Sequence, residues 1–289
     1  MSASQLSLPL PPHRNQQLFS DYYLNTILRQ REDWQHLAAQ SAQAMTAIQA
    51  IYAAYTPSSK EKEAQTEERW IRPVLKALGH IFEVQAALTS PDGTKIPDYV
   101  FYRDRDALNA NKGKTLTDAL PTQGMIAIGD AKYWDRPLDV TIIKDKNKDI
   151  FNNKNPSYQI AFYIQHSGAE WGILTNGRLW RLFHKDTAHK LERYYEVDLP
   201  ALLERNDPVV FLYFYVFFRR TAFDDHALGL RAILQASTDF ARGISENLKQ
   251  QVYAALRHIA QGFLDYPPNH LSPDAATLKT IYDNSLIVL

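Results

Sequence analysis

Residues 125–133 have the sequence MIAIGDAKY, and this stretch decides the fold that we predict. Apolar Ile126 and Ile128 alternate with small residues, which is the two-residue period of a β-strand with one buried face. Asp130 and Lys132 continue the alternation, so both point to the face that carries the isoleucines. Burying two charges costs free energy unless they pair or bind a metal ion. The stretch therefore predicts a core strand with chemically active charges at its carboxyl end.

A second acid opens another predicted strand. Asp98 begins the apolar stretch 98–102 (DYVFY). If this strand lies next to the first one, both carboxylates and Lys132 meet at one edge of the sheet. Carboxylates are ligands for Mg²⁺, which keeps several waters in its shell, and a lysine beside them can orient an attacking water. A surface ion pair between Asp130 and Lys132 is the plainer alternative, and both interpretations are open at this stage.

The whole chain predicts an α/β fold, a mixed central sheet flanked by helices, with helical segments before and after it. We divide it into an N-terminal helical segment (1–60), an α/β domain (61–199) and a helical connector domain (200–289). The predicted strands are 81–88, 98–102, 125–133, 170–175, 178–184 and 191–197, and the predicted helices are 16–55, 61–80, 156–165, 202–219, 222–240, 244–264 and 273–289. The polar stretch 103–124 is predicted to be a long connection.

Composition and charge exclude several classes of protein. Lys+Arg and Asp+Glu are equal at 32 each, so the formal net charge is zero, which argues against nucleic-acid binding through bulk charge alone. Cysteine is absent, which excludes disulfides and cysteine-ligated metal sites. The longest apolar run, residues 209–218, is too short for a bilayer, which takes about 20 residues. We interpret it as a buried helix and expect a soluble, cytoplasmic protein with no membrane contact.

Several motifs together resemble a known family. Pro97-Asp98 followed by Asp130-Ala131-Lys132 resembles the PD-(D/E)xK nuclease signature. The helix that follows contains SYQIAFYI, whose glutamine and tyrosine resemble the Q-x-x-x-Y element of one branch of that superfamily. The stretches at 63–80 (EAQTEERWIRPVLKALGH) and 171–184 (WGILTNGRLWRLFH) are similar to the nuclease region of type I and type IIG restriction enzymes. The resemblance covers most of residues 60–289.

The resemblance implies a role for each residue of the signature. Asp98 and Asp130 would bind the metal ion, and the Ala131 carbonyl would be a third ligand. Lys132 would position or activate the attacking water. The implied cofactor is Mg²⁺, for which Mn²⁺ would substitute.

The flanking helices and the loop supply further candidates. Gln159 would hold the metal shell or the substrate phosphate. Tyr163, beside it on the same helical face, would contact the DNA. The alternative for both is an amphipathic helix edge. Glu63 or Glu67 would complete the metal site, and spacing does not decide which; the alternative is a solvated helix face. The remaining candidates are lysines of the loop after the active strand, predicted either to contact DNA phosphates or to be solvated: Lys144, Lys146 and Lys148.

These observations predict a metal-dependent deoxyribonuclease, the Mg²⁺-dependent endonuclease module of a restriction-modification system. The alternative is a non-catalytic DNA-binding or assembly subunit that retains a nuclease-like fold. The expected partners are DNA and a methyltransferase or specificity part outside this chain, because type IIG enzymes continue into such a part.

Overall fold

The computed structural model of the chain describes residues 11–58, 62–120, 122–141, 155–272 and 274–288. The strands of the described residues are β1 (Arg14–Asn15), β2 (Ile81–Val84), β3 (Leu88–Ser90), β4 (Gly93–Lys95), β5 (Tyr99–Tyr102), β6 (Met125–Ala131), β7 (Trp171–Thr175), β8 (Leu179–His184) and β9 (Tyr195–Asp198). The α-helices are α1 (Leu28–Gln30), α2 (Glu32–His36), α3 (Ala38–Ala53), α4 (Glu63–Thr66), α5 (Arg72–Ala77), α6 (Arg105–Asn111), α7 (Pro156–Ser167), α8 (Leu199–Arg205), α9 (Pro208–Phe218), α10 (Leu230–Asp265) and α11 (Ala275–Val288). A π-helical segment, Glu67–Ile71, joins α4 to α5.

Seven strands form one mostly antiparallel sheet in the order β1-β9-β8-β7-β6-β5-β2. β6 and β7 are the exception, because they pair in parallel and are connected through α7. A parallel pair needs such a crossover, and it brings the carboxyl ends of both strands to the same edge of the sheet. The prediction of a mixed α/β sheet flanked by helices is confirmed.

One face of the sheet packs against α7. Ile160 of this helix belongs to the same buried cluster as Val100, Ile128 and Leu174 from three neighbouring strands. Gly172 permits the close approach, because a Cβ there would lie 2.5 Å from the end of the Ile164 side chain. The even-numbered residues of β5 and β6 therefore face α7.

The opposite face of the sheet is aromatic and packs against α9. The Trp180 and Phe214 rings meet edge to face at 5.5 Å, and the Tyr195 and Phe217 rings stack at 4.2 Å. Almost every side chain in the second half of α9 is buried. The interpretation of residues 209–218 as a buried helix is confirmed.

Two of the predicted helix boundaries are wrong. The stretch 202–219 forms two helices, because the residue before Pro208 is driven to extended backbone, where the Asp207 carboxylate caps the new helix. Residues 230–240 and the stretch 244–264 belong to the single helix α10, which passes through Gly243 without a break, whereas residues 222–229 lie before it. A glycine inside a helix costs only about 1 kcal/mol, which a long helix tolerates.

Other differences lie between the strands. Residues 81–88 do not form one strand, since Gln85 adopts a positive φ of 55° after β2 and β3 then pairs with β4 as a separate hairpin. The polar connection 103–124 contains α6, whose first turn is capped by the Asp104 carboxylate accepting from the Ala107 N–H at 2.7 Å. The short edge strand β1, which pairs with β9, carries no apolar alternation that would predict it.

The chain forms two compact units, Met1–Gln235 and Ala236–Leu289. The first contains the seven-stranded sheet, and the second contains α11 and most of α10. The three-part division at residues 60 and 199 stays a prediction. Among the described residues, no helix has both the length and the apolar character needed to cross a bilayer.

One buried histidine makes the fold sensitive to pH. His80 lies between α5 and β2, and its Nε2–H donates to the Phe218 carbonyl at 2.6 Å, while Nδ1 has no hydrogen-bond partner among the described residues. Burial lowers the pKa of His80 to about 4. The imidazole is therefore neutral in the folded protein at neutral pH.

Acidification is expected to destabilise the protein through His80. The unfolded chain protonates this side chain near its ordinary pKa of about 6.5, but the folded chain does so only near 4. The stability that the neutral imidazole contributes is therefore fully present above the pKa of the unfolded chain. It is lost as the pH falls toward the pKa of His80 in the folded chain. Between pH 7 and pH 5 the loss attributable to this group is about 2 kcal/mol. Urea unfolding at both pH values should show a smaller loss for His80→Gln than for wild type. Equal losses would assign the effect to other groups.

Candidate active site

Asp98 and Asp130 lie side by side where β5 and β6 meet. The register pairs Val100 with Ile128, and continuing it by two residues places Asp98 opposite Asp130 on the face that packs against α7. Asp98 Oδ2 accepts a hydrogen bond from the Ala131 N–H at 2.7 Å, which extends the strand pairing by one contact. The two acids that the sequence placed on adjacent strands are therefore brought together.

Lys132 forms an ion pair with Asp130. Its Nζ lies 2.6 Å from Asp130 Oδ2 and donates to the Ala131 carbonyl at 3.0 Å. Its main-chain N–H donates to the Thr175 carbonyl at 2.8 Å, so β7 holds the residue one step beyond the end of β6. The Asp130 side chain is 3% exposed and that of Lys132 is 14% exposed. The Asp130–Lys132 ion pair is thus largely buried, unlike the surface pair that was the alternative.

The helix that runs from α4 to α5 brings Glu63 into the same electrostatic environment. Burial raises the pKa of Glu63, Lys132 lowers it, and the negative charge of Asp130 raises it further. The helix is held near the edge of the sheet by Trp70, whose indole N–H donates to the Gly177 carbonyl at 2.7 Å. Gly177 lies in the turn between β7 and β8, where its φ of 84° favours glycine.

Glu67, one turn further along, has different partners. Its Oε2 accepts from the Tyr99 hydroxyl at 2.6 Å and lies 3.2 Å from Arg72 Nη2. Tyr99 points to the opposite face of the sheet from Asp98, since the two are consecutive on one strand. The structure therefore distinguishes the two glutamates: Glu63 interacts with the charges of Asp130 and Lys132, and Glu67 is hydrogen-bonded in the adjoining core.

The charges in this site do not balance. Burial raises the pKa of Asp98 well above its ordinary value, and the adjacent Asp130 raises it further. Burial alone would lower the pKa of Lys132, but the attraction of Asp130, Glu63 and Asp98 raises it above its ordinary value. Three carboxylates share one ammonium, so the fully ionised cluster is negative and would be stabilised by an added cation.

The donor atoms fit a magnesium ion better than a zinc ion. Within the described residues, no group of three or more His, Asp or Glu side chains is arranged to hold a metal. Asp98, Asp130 and the Ala131 carbonyl together offer oxygen donors only. Mg²⁺ commonly uses one or two carboxylates and keeps several waters. The residues present therefore fit the predicted cofactor if water completes its shell.

The remaining predicted residues lie on α7 or in the loop before it. Gln159 is buried on α7, the helix that covers the same face of the sheet as Asp130. Tyr163 is 4% exposed and packs in the apolar cluster around Ile128. Their roles in metal, phosphate or DNA binding stay predictions. The three predicted DNA-binding lysines, Lys144, Lys146 and Lys148, lie outside the described residues.

Sequence reasoning missed a second buried ion pair in the same row of the sheet. Asp130 pairs across the strands with Leu174, Leu174 with Arg181, and Arg181 with Glu196. The Arg181 guanidinium contacts the Glu196 carboxylate and lies 3.3 Å from Asp139 Oδ2. The signal was present, because Arg181 interrupts an apolar alternation just as Asp130 does.

This second pair helps to hold the connection that follows the active strand. Arg181 donates to the Ser157 hydroxyl, which in turn donates to the Leu138 carbonyl at 2.8 Å. The Asn176 amide donates to the Arg136 carbonyl at 2.9 Å. Residues 136–139 are thereby fixed against the sheet and the start of α7.

Comparisons with known proteins identify no relative. No protein-family model, no curated protein and no solved structure matches the chain. The resemblance to the PD-(D/E)xK nucleases therefore rests on the motifs and on the geometry described above.

Substituting the glycine beside Asp130 is expected to disturb the site. In Gly129→Ala the new Cβ would lie 2.8 Å from the Phe101 ring and 3.2 Å from Tyr99 Cβ. Relieving this overlap must push β6 away from β5, at a cost of about 1–3 kcal/mol. Thermal and urea unfolding measure the loss. Gly243→Ala is the matched control, because no heavy atom lies within 4 Å of its Cβ and helix propensity should raise stability. A neutral Gly129→Ala variant would contradict the close packing of the two strands.

Proposed function

We propose that this protein is a Mg²⁺-dependent DNA endonuclease module of a restriction system, a member of the PD-(D/E)xK superfamily. The observation that carries the proposal is the convergence of Asp98, Asp130 and Lys132 at the edge where β5 and β6 meet. Asp98 precedes β5, Asp130 lies near the end of β6, and Lys132 follows that strand. Two adjacent carboxylates and a lysine are the groups that metal-assisted phosphodiester hydrolysis uses.

Each residue of the site has its own role in the proposed hydrolysis. Asp98, Asp130 and the Ala131 carbonyl are the groups that would hold Mg²⁺, which when bound activates water and offsets charge on the phosphate. Lys132 carries a persistent positive charge beside the acids, suited to orienting water and stabilising negative charge as it builds on phosphate oxygens. Glu63 adds a third carboxylate from the opposite layer, and burial raises its pKa.

The net charge of the chain indicates that the protein by itself binds DNA weakly. A protein with a formal net charge of zero lacks the excess of cations that neutralises many phosphates. We propose that target recognition comes from a methyltransferase or specificity partner. Cleavage by the chain alone is then slow, salt-sensitive and without sequence preference.

Removing either charge of the central ion pair is expected to abolish cleavage. Lys132→Met and Asp130→Asn each should slow nicking of supercoiled DNA by at least about a hundredfold, the scale for losing a positioned catalytic group. The assay uses Mg²⁺ or Mn²⁺ at low salt, with added EDTA as the metal-free control. Lys190→Met removes one exposed positive charge elsewhere and should cleave like wild type.

The other outcomes of this assay are informative. Equal nicking by wild type and both variants would indicate contamination or another site. No nicking by wild type, even with the partner supplied, would contradict the proposal and favour a non-catalytic DNA-binding or assembly subunit with this fold.

The two glutamates should respond differently to the same substitution. Glu63→Gln is expected to lower cleavage by about tenfold or more with little change in melting temperature, because Glu63 interacts with the charges of the site. Glu67→Gln should lower the free energy of unfolding by about 1–3 kcal/mol, since the Tyr99 hydroxyl and Arg72 lose their charged partner. Nicking rates and urea unfolding measured on both variants test the assignment. The reverse pattern would place Glu67 in the site instead.

A further inference from the structure

The Lys132 ammonium occupies the space that faces two of the proposed metal ligands. Its Nζ contacts Asp130 Oδ2 at 2.6 Å and the Ala131 carbonyl oxygen at 3.0 Å. The first contact is an ion pair and the second is a hydrogen bond, so the ammonium lies between the two oxygens. A second cation that approaches the same pair of oxygens lies next to the ammonium and is repelled by its charge.

We infer that Lys132 competes with a divalent cation for Asp130 and the Ala131 carbonyl, because its ammonium contacts both oxygens. The inference rests on the proposed function, because it takes these oxygens as metal ligands. Binding of the cation then requires the ammonium to leave both oxygens. Lys132 is released toward the solvent side of the cluster at the moment the cation enters.

The flexibility and charge of the lysine suit this exchange. A lysine side chain carries a compact charge on four rotatable carbons, so the ammonium can move while its backbone stays fixed. The main-chain N–H of Lys132 is bonded to the Thr175 carbonyl, and this anchor does not depend on the position of the side chain. The carboxylates of Asp98 and Glu63 also attract the ammonium, so it stays near the site after it leaves Asp130.

The Arg181–Glu196 ion pair in the same row is more buried than the Asp130–Lys132 pair and has more partners. The Arg181 side chain is 2% exposed and that of Glu196 is 7% exposed, and the guanidinium also reaches Ser157 and Asp139. Lys132 is more exposed, at 14%, and its ammonium contacts Asp130 Oδ2 and the Ala131 carbonyl, both of which are proposed to bind metal. Its ion pair is therefore the one in this row that can open.

The test is the affinity of the whole chain for Mn²⁺ in the absence of DNA, measured by the electron paramagnetic resonance signal of free Mn²⁺. Lys132→Met keeps the length of the side chain and removes the competing charge. It should bind Mn²⁺ at least about tenfold more tightly than wild type, as expected for removal of an adjacent like charge. Lys190→Met, an exposed site, should match wild type, and Asp130→Asn should bind more weakly than either.

Two results would overturn the inference, and they are distinguishable. If wild type binds Mn²⁺ and Asp130→Asn does not, but Lys132→Met binds no more tightly than wild type, Lys132 does not compete and the proposed nuclease function stands. If wild type, Lys132→Met and Asp130→Asn all fail to bind, the site holds no divalent cation, and both the inference and the proposed metal dependence fail.

A second measurement uses only the wild-type protein and so does not depend on the folding of a variant. Reductive methylation followed by mass spectrometry reports how accessible each lysine amine is. Adding Mg²⁺ should raise the methylation rate of Lys132 several-fold while leaving Lys190 unchanged, because the amine becomes accessible when it leaves Asp130 and the Ala131 carbonyl. An unchanged or lower rate at Lys132 in saturating Mg²⁺ would also overturn the inference.

Discussion

The buried ion pair between Asp130 and Lys132 is the interaction on which the arrangement of this site depends. Two charges at the end of a core strand lose water, and their mutual attraction offsets that loss only when their geometry is good. Hydrogen bonds on both sides fix this geometry: the Ala131 N–H donates to the Asp98 carboxylate, and the Lys132 N–H donates to the Thr175 carbonyl. The ion pair is thus held between β5 and β7.

The packing around the strand keeps these charges in place. Gly129 and Gly172 allow neighbouring side chains to approach the sheet closely, the first next to the Phe101 ring and the second beneath α7. The parallel pair β6 and β7 opens its carboxyl ends toward the start of α7, so the site lies at one edge of the sheet. On the other side, the Trp70 hydrogen bond fixes the helix that carries Glu63. A charged edge is thereby supported by apolar packing on both faces.

The two ion pairs of this row have different chemical prospects. The guanidinium of Arg181 is surrounded by Glu196, Asp139 and Ser157 and joins the sheet to the connection after β6, which is a structural role. Lys132 faces an excess of carboxylates, and this imbalance favours an incoming cation. Burial is the main cause that raises the pKa values of Asp98 and Glu63, and the negative charge of Asp130 raises both further. The metal-dependent hydrolysis that we propose would use such an excess of negative charge.

The sequence by itself determined the strand at 125–133, the shared face of Asp130 and Lys132, and the buried character of α9, because alternation and apolar runs are properties of neighbouring residues. Only the tertiary structure decided that Glu63 rather than Glu67 interacts with the ion pair, and that Arg181 extends the charged row. It also decided that Lys132 lies between Asp130 and the Ala131 carbonyl. The first two are contacts between segments far apart in the chain, set by strand register and by how the layers pack. The third depends on the Thr175 carbonyl of β7, which holds the Lys132 backbone, so no local period encodes any of them.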